Sequence, residues 1–285
     1  MRLPYYFLKK KKQYYVQTWH NYLAFKAIEK EAENMLDKSY LRSAKSDSKK
    51  MNLLLSSSKF TTEQYKNYFW YNGEILEKGT PRNDILFKDH QNIELEMKIK
   101  KELDLEDKKI VLYAPTFRNN KDISFYTMES EKLLDVFNEK FGKEWILLYR
   151  LHPNLINQAN NLNIGNNALN LSTYNDMQHL LLIADVLITD FSSSTFDYMF
   201  TTKPCFLYLK DLDSYLRNER SLTIDLNKLP FPIANTFEEL IENIHQFDSK
   251  IYSERIKEFN IYIGNYENGN ACKELIKVIK DVMKQ

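Results

Sequence analysis

The sequence predicts an α/β protein built on parallel β-sheets that are covered by helices on both faces. Its predicted strands are apolar along their whole length, whereas a strand with one solvent-facing side would alternate apolar and polar residues. These strands alternate along the chain with helical segments, which is the order typical of parallel sheets. A chain of 285 residues is long enough for about two domains.

The first third of the chain predicts three short strands separated by helices. Clusters of apolar, β-branched and aromatic residues indicate strands at residues 14–19, 51–55 and 74–77. Helical spacing of apolar positions and Thr residues suited to capping indicate helices at residues 25–35, 39–49 and 61–70. Three strands make an incomplete doubly wound unit, so two complete units fit the length poorly.

The rest of the chain predicts a complete unit of the same kind. Buried strands are expected at residues 109–114, 145–150, 185–189 and 204–208. Helices are expected at residues 93–103, 130–141, 177–184, 192–200, 237–247 and 273–283. The last two of these helices are amphipathic.

Composition excludes several classes of protein. The 40 Lys and Arg residues balance 39 Asp and Glu residues to a formal charge of +1, which argues against an overall electrostatic field suited to nucleic acid or membranes. The two cysteines, Cys205 and Cys272, are too few for a disulfide scaffold or a Cys-rich zinc site, and they suit a reducing cytoplasm. The sequence contains no run of about 18 apolar residues, so it predicts no transmembrane helix. The six glycines are too few for a Gly-rich phosphate-binding loop.

Polar residues follow the predicted strands at the points where ligands of open parallel sheets bind. The candidates are His20, Arg82, Thr116, Arg118, Arg150, His152, Thr189, Ser192, Ser193, Ser194 and, one turn into a helix, Asp197. Histidine, arginine and hydroxyl side chains together suit an anionic, phosphorylated ligand.

Each type of candidate also has a purely structural interpretation. Ser192 or Ser193 either caps the helix that follows or assists its N-terminal N–H groups in binding phosphate. Arg118 either clamps a phosphate or forms a surface ion pair. Asp197 either belongs to the ligand site or is a solvated carboxylate. His152 either donates to a phosphate, acts in proton transfer or is structural. Spacing by itself leaves these alternatives open.

The N-terminal segment carries a dense basic run of four lysines at residues 9–12. Such a run is either a solvated face or a contact with anionic lipid. In the second case each lysine near the surface contributes about 1 kcal/mol to binding.

Seven short motifs occur in a fixed order along the chain. They are Val16-Gln17-Thr18-Trp19-His20, Gly79-Thr80-Pro81-Arg82-Asn83-Asp84, Tyr113-Ala114-Pro115-Thr116-Phe117-Arg118, Arg150-Leu151-His152-Pro153, Thr189-Asp190-Phe191-Ser192-Ser193, Asp225-Leu226-Asn227-Lys228-Leu229-Pro230 and Gly264-Asn265-Tyr266-Glu267-Asn268-Gly269-Asn270-Ala271. This set resembles the CDP-glycerol glycerophosphotransferase family, which includes the teichoic acid polymerases and primases of Gram-positive bacteria and homologues from capsule loci. The resemblance covers residues from about 14 to 279, and although each motif is weak, the ordered set is specific.

The resemblance implies a GT-B-like fold in which two Rossmann-like domains face a cleft. It divides the chain into a partial, acceptor-side N-terminal domain at residues 1–92 and a CDP-alditol-binding domain at residues 93–285, with C-terminal helices that pack back. Members of the family normally have further strands ahead of the first motif. The N-terminal domain is therefore expected to be truncated, which would leave a sheet edge exposed.

The resemblance also implies an activity: transfer of glycerol phosphate or ribitol phosphate from a CDP-alditol to a hydroxyl of a lipid-linked teichoic acid or capsular acceptor, with release of CMP. It makes His20 the base and His152 a second catalytic residue. Residues assigned to donor binding are Arg82, Thr116, Arg118, Arg150, Thr189, Ser192, Ser193, Ser194 and Asp197. No metal or other cofactor is expected, and the enzyme should be cytoplasmic, with peripheral contact at the inner face of the membrane. Two alternatives are a GT-B glycosyltransferase that uses another nucleotide sugar and a truncated nucleotide-binding relic without turnover.

Overall fold

A computed structural model describes residues 2–20, 22–87, 90–118, 122–142, 144–159, 162–218 and 221–284. The chain forms two compact units, each with its own parallel sheet. Unit 1 consists of Met1–Phe87, Leu216–Lys228 and Lys257–Gln285, and unit 2 consists of Lys88–Tyr215 and Leu229–Ile256. The predicted class, α/β with parallel sheets, describes both.

Unit 1 contains a three-stranded parallel sheet in the order β1-β2-β3. Its strands are β1 (Val16–Gln17), β2 (Leu53–Ser56) and β3 (Glu74–Glu77). Its first two α-helices are α1 (Lys38–Ser48) and α2 (Lys59–Tyr68), and 3₁₀ turns occur at Glu29–Met35, Pro81–Leu86 and Leu226–Lys228. Every residue of β2 is buried because this strand is central in the sheet.

The apolar core of unit 1 packs α2 and the end of β1 against the sheet. Ser58 begins α2 as its N-cap, where its Oγ accepts from the Thr61 N–H at 3.1 Å. The helix then places the ring of Tyr65 4.6 Å from Phe69, which in turn lies 4.8 Å from Trp19. These three aromatic residues therefore belong to the core of unit 1.

Unit 2 contains a six-stranded parallel sheet in the order β6-β5-β4-β7-β8-β9. Its strands are β4 (Lys109–Ala114), β5 (Trp145–Tyr149), β6 (Ala168–Asn170), β7 (Val186–Thr189), β8 (Cys205–Tyr208) and β9 (Ile233–Ala234). Its helices are α3 (His90–Glu102), α4 (Ser130–Phe141), α5 (Ile156–Ala159), α6 (Met177–Ile183) and α7 (Ser194–Tyr198), then α8 (Leu212–Asn218), whose last three residues belong to unit 1, and α9 (Phe237–His245). Strand β4 and helix α4 have the bounds that the apolar pattern predicts.

The C-terminal part contains two longer helices, α10 (Ser249–Ile263) and α11 (Ala271–Met283). Helix α10 lies outside the predicted elements. Its buried residues Tyr252, Ile256, Phe259 and Ile263 recur at helical spacing, and the Asp248 carboxylate accepts from the N–H groups of its first turn. The signal for this helix was therefore present in the sequence.

The predicted helix at residues 25–35 is wrong over its first half. The Ala27 N–H donates to the Ser221 carbonyl at 3.0 Å, and the Thr223 N–H donates to the Phe25 carbonyl at 3.1 Å. These bonds to a distant segment of unit 1 replace the i→i−4 bonds of a helix. Only Glu29–Met35 is helical, and it is a 3₁₀ helix.

Other differences concern short strands and element ends. The predicted strand at residues 14–19 is paired only at Val16–Gln17, and β6 and β9 were not predicted. Strands of two or three residues carry too few apolar positions to be recognised by pattern. The division into domains at residues 1–92 and 93–285 stays a prediction. In the compact units, two later segments, Leu216–Lys228 and Lys257–Gln285, fold with the N-terminal one.

Candidate functional site

The sheet of unit 2 has a topological switch point at the carboxyl ends of β4 and β7. The two strands that follow β4 in the chain, β5 and β6, lie on one side of β4 in the sheet. The next three strands, β7, β8 and β9, lie on its other side. Ligands of open α/β sheets bind in the crevice at such a point. The residues that follow these strands are therefore the candidates for ligand contact.

Thr116 and Asp190 join the two strands at this switch point. The backbone N–H and the hydroxyl of Thr116 both donate to Asp190 Oδ1 at 2.8 Å. Asp190 is only 4% exposed, so its carboxylate needs these donors in place of water. The contact holds the loop after β4 against the loop after β7.

Arg118 lies behind this contact and is 3% exposed. Its Nη2 donates to Asp190 at 2.8 Å and to Asp211 at 3.0 Å, and its Nε donates to the second oxygen of Asp211 at 3.0 Å. Its Nη1 donates to the carbonyl and hydroxyl oxygens of Thr116 at 2.9 and 2.5 Å. All of its nitrogens are thus engaged within the protein, which favours a positioning role for Arg118 over direct contact with phosphate.

The surroundings of Arg118 keep its guanidinium charged. Burial by itself would lower the Arg118 pKa, but the carboxylates of Asp190 and Asp211 outweigh burial and raise it. The ring of Phe191 stacks on that of Tyr215 with centroids 3.7 Å apart, and the guanidinium lies 4.7 Å from the Tyr215 centroid. The ion pair is therefore enclosed by aromatic side chains on one side.

Lys210 is a second cation at the carboxyl end of β8. Its ammonium donates to the Phe125 carbonyl and lies 4.6 Å from the centroid of the Phe125 ring. Burial lowers the Lys210 pKa to about 8, although Asp190 and Asp211 act in the opposite direction. Its charge therefore titrates close to neutral pH.

Arg150 and His152 follow β5, as predicted, but differ in exposure. Arg150 is partly buried, which lowers its pKa, and its Nη1 donates to the Leu151 carbonyl at 3.2 Å and to the Ser172 carbonyl. His152 is exposed and caps a short 3₁₀ turn, where its Nδ1 accepts from the Asn154 N–H at 3.2 Å. In the neutral ring this contact leaves the proton on Nε2.

The hydroxyl run after β7 is divided between accessible and buried groups. Ser192 and Ser193 are partly exposed, and the Ser192 Oγ lies 2.8 Å from the Ser194 Oγ. Thr189 is fully buried, and its hydroxyl donates to the Ala114 carbonyl of β4 at 2.6 Å. Asp197 is 3% exposed and accepts from Gln178 Nε2 at 3.4 Å. Helix α7, which begins at Ser194 directly after Ser193, is only five residues long.

In unit 1, His20 is presented by a turn directly after β1. The preceding residue, Trp19, has φ +53°, a left-handed conformation that bulky side chains rarely adopt. The His20 ring is exposed and lies 4.6 Å from the Trp19 ring, centroid to centroid. Nη1 of Arg82 donates to the His20 carbonyl, so the structure brings these two predicted site residues together.

The loop that carries Arg82 is held by the motif at residues 264–271. The Thr80 N–H donates to Glu267 Oε1 at 2.8 Å, and the Asp84 carboxylate accepts from the N–H groups of Ala271 and Cys272 at 2.9 and 2.7 Å. Gly79 has φ +92°, and a Cβ there would lie 2.6 Å from Glu267 Oε2. Two motifs nearly 190 residues apart therefore form one structure.

Several residues of these sites were not predicted. Lys210 and Asp211 directly follow Leu209 at the end of β8, so the rule that identified the other candidates would have found them. Gln17 and Glu267 belong to motifs but bind main-chain groups across turns, which sequence does not reveal. Among the residues that the structure describes, no group of three His, Cys, Asp or Glu side chains could hold a metal ion.

Comparison with known proteins identifies the family. The profile of the family described as CDP-Glycerol:Poly(glycerophosphate) glycerophosphotransferase matches residues 1–281. A teichoic acid poly(glycerol phosphate) polymerase of Bacillus spizizenii is 33% identical over 97% of this chain and 72% of its own length. A polymerase of the same description from Staphylococcus epidermidis is 32% identical over 100% of this chain, which spans 41% of that protein.

The fold agrees with this assignment. The structure of the wall teichoic acid polymerase TagF, as a histidine-to-asparagine variant, superposes with a TM-score of 0.83 at 31% identity and covers 100% of this chain and 72% of that one. This match confirms the predicted α/β, GT-B-like fold class, and the predicted class of enzyme is confirmed with it. The chain belongs to the CDP-glycerol:poly(glycerophosphate) glycerophosphotransferase family.

Proposed function

We propose that this protein transfers glycerol phosphate or ribitol phosphate from a CDP-alditol to a hydroxyl of a lipid-linked teichoic acid or capsular acceptor and releases CMP. The observation that carries the proposal is the switch point of unit 2, where family motifs from three strands place Thr116, His152 and Ser192 at one edge of the sheet. That edge is where a parallel sheet binds nucleotides.

Related proteins support a CDP-alditol as the donor. A TagF structure soaked with CDPG superposes with a TM-score of 0.81 at 30% identity, over 100% of this chain and 71% of that one. A teichoic acid poly(ribitol-phosphate) polymerase of Bacillus spizizenii is 30% identical over 72% of this chain and 33% of its own length. We therefore keep both alditols in the proposal.

The proposed reaction assigns a separate role to each of the two histidines. The acceptor hydroxyl oxygen attacks the phosphorus that bears the alditol, the bond from that phosphorus to the CMP oxygen breaks, and the proton of the hydroxyl passes to His20. His152 stabilises charge on the departing CMP. Phosphoryl transfer of this kind depends mainly on positioning and on stabilisation of charge, which histidine, arginine and hydroxyl groups supply.

The residues assigned to donor binding differ in how far they are buried, and this difference suggests two roles. Thr116, Arg150, Ser192 and Ser193 retain exposed surface and are proposed to contact the phosphates or cytidine. The more buried residues are proposed to hold these groups in place from behind; they are Arg118, Thr189, Ser194 and Asp197. Arg82 holds the His20 main chain and is proposed to serve the acceptor side of the reaction.

Peripheral contact with anionic lipid is part of the proposal. In the part of the chain that the structure describes, no helix is both long and apolar enough to cross a bilayer. The N-terminal segment exposes Tyr6 and Leu8 next to the exposed side chains of Lys10, Lys11 and Lys12. Apolar groups beside lysines are typical of segments that rest on an anionic surface.

The test is an assay of CMP release by the full chain with CDP-glycerol, CDP-ribitol or UDP-GlcNAc, in the presence of Gram-positive bacterial membranes as the source of acceptor. CMP release together with incorporation of labelled alditol into polymer is expected with one CDP-alditol. Turnover with the nucleotide sugar alone would replace the proposal with glycosyl transfer. Tight CDP binding without turnover, unaffected by His20→Ala, would make the chain a nucleotide-binding relic.

A further inference from the structure

The turn between β1 and His20 contains a bulky residue in an unfavourable backbone conformation. Trp19 has φ +53° and is 8% exposed, so both its backbone and its ring are fixed by surrounding protein. A conformation of this kind persists only when neighbouring contacts impose it, and such residues cluster at functional sites. The main chain of this turn is bound by the side chain of Gln17.

The carboxamide of Gln17 binds the main chain of this turn. Its Oε1 accepts from the Trp19 N–H at 2.9 Å, while its Nε2 donates to the Tyr15 hydroxyl at 2.7 Å and to Asp47 Oδ2 at 3.3 Å. Gln17 is 4% exposed, so these bonds are shielded from water. The side chain thus links the turn to a buried carboxylate.

The partners of Gln17 determine which way its amide faces. Asp47 is fully buried and accepts from the Leu3 N–H and from the Tyr15 hydroxyl, both at 3.0 Å. Burial, followed by the Asp47 charge, raises the Tyr15 pKa, so this hydroxyl stays a donor to Asp47 and an acceptor for Gln17 Nε2. Only the opposite end of the amide, the carbonyl oxygen, then faces the Trp19 N–H.

We propose that Gln17 is a positioning residue for His20. Its carboxamide holds Trp19 in the left-handed conformation and so sets the direction in which the next residue, His20, leaves the strand. This inference rests on the proposed function, in which His20 takes the proton of the acceptor hydroxyl. It adds a role for a residue that makes no contact with substrate in the proposed reaction.

The test replaces Gln17 with a side chain of similar length that lacks the amide, Gln17→Met. We expect kcat to fall about 10- to 100-fold, because small displacements of a catalytic group cost this much, while KM for the CDP-alditol stays within about twofold. The matched control is Gln64→Met. Gln64 is 5% exposed in the same unit, and its Oε1 has no hydrogen-bond partner in the described part of the chain, so kcat should stay unchanged.

A double-mutant cycle separates positioning from a general structural effect. In the His20→Ala background, Gln17→Met should reduce kcat no further, because the lost positioning acts only through the imidazole. An equal reduction in both backgrounds would overturn the proposal. If Gln17→Met fails to fold, Tyr15→Phe removes the hydroxyl that orients the amide and should lower kcat to a smaller extent in the wild-type background alone.

The outcomes also distinguish this inference from the proposed function. A His20→Ala variant with wild-type kcat would overturn the role of His20 itself. A His20→Ala variant of low activity combined with wild-type kcat in both Gln17→Met and Tyr15→Phe would overturn only the role of Gln17.

Discussion

The two units hold the residues at the carboxyl ends of their sheets by different interactions. In unit 1, uncharged or acidic side chains bind main-chain N–H groups, as Gln17 binds Trp19 and Glu267 binds Thr80. In unit 2, charged side chains bind each other, and Arg118 is enclosed between two carboxylates at 2.8 and 3.0 Å. Unit 1 distributes its restraints over several loops, whereas unit 2 centres them on Arg118 and its two carboxylate partners.

This difference determines how each unit should respond to substitution. A hydrogen bond contributes about 1 kcal/mol net between neutral groups and about 1.5–3 kcal/mol when one partner is charged, so loss of one restraint in unit 1 should be tolerable. Removing one member of a buried ion pair leaves a charge without its partner and costs about 3–5 kcal/mol. Stability should therefore be more sensitive to substitution at the site of unit 2, and the predictions below compare the two units.

The largest expected effect is on turnover and tests the roles proposed for the two histidines. His20→Ala in unit 1 and His152→Ala in unit 2 should each lower turnover by about 10²–10⁴-fold. Both histidines are exposed, so the melting temperature should change little. The measurement is the initial rate of CMP release, with His245→Ala, another exposed histidine, as control. Wild-type rates in both variants would reject the site assignment.

The next effect is on the stability of unit 2. Asp211→Ala removes the bidentate partner of Arg118 and should lower the free energy of unfolding by about 3 kcal/mol, since Asp190 still neutralises part of the charge. Denaturant unfolding measures this loss. Asp213→Ala, at an exposed residue of α8, should change stability by less than about 0.5 kcal/mol. A loss of similar size in the two variants would contradict the comparison.

The corresponding change in unit 1 should have a smaller effect. Asp84→Ala leaves the first two N–H groups of α11 without their acceptor and should cost about 1–2 kcal/mol, as loss of a helix cap does. Burial and the Asp84 carboxylate together raise the Cys272 pKa to about 11, so alkylation of this thiol at pH 8 should also become faster. Asp281→Ala, near the far end of α11, is the control, and it should change neither quantity.

The smallest predicted effect is a pH dependence of stability in unit 2. The Lys210 pKa is lowered by burial to about 8, so between about pH 8 and 10 the unfolded chain binds a proton that the folded chain has released. Stability from this group therefore rises with pH across that window and is lowest below pH 8. Wild type should gain about 1 kcal/mol relative to Lys210→Met between pH 8 and 9 in denaturant unfolding. If the free energy of unfolding changed with pH in the same way in wild type and Lys210→Met, the predicted lowering of the Lys210 pKa would be wrong.

Elements with a strong local pattern were predictable from the sequence. The continuous apolar run of β4 and the amphipathic pattern of α4 define Lys109–Ala114 and Ser130–Phe141 without any knowledge of their neighbours. Residues 25–35 show the opposite case. Their composition favours a helix, but pairing of Lys26 with Leu222 supplies other partners for the backbone, and tertiary pairing prevails over propensity.

For the candidate site, the positions of polar residues along the chain were predictable, but their surroundings were not. Polar residues after strands were correctly expected at the ends of β4, β5 and β7, because ligand sites of parallel sheets follow from topology. Whether a given polar side chain is exposed was not predictable. Thr189 belongs to the same motif as Ser192 and Ser193, and Asp197 follows that motif by four residues, yet both are almost completely buried.

The sequence by itself determined the class of fold, the order of most strands and helices, and the places where polar residues follow strands, since these depend on local apolar patterns. Only the tertiary structure decided which polar groups pair with one another. Arg118 binds Asp190 and Asp211, which are 72 and 93 residues away, and Gln17 binds Asp47 across 30 residues. Such partners are set by which strands and loops become neighbours in space, and no local pattern encodes that arrangement.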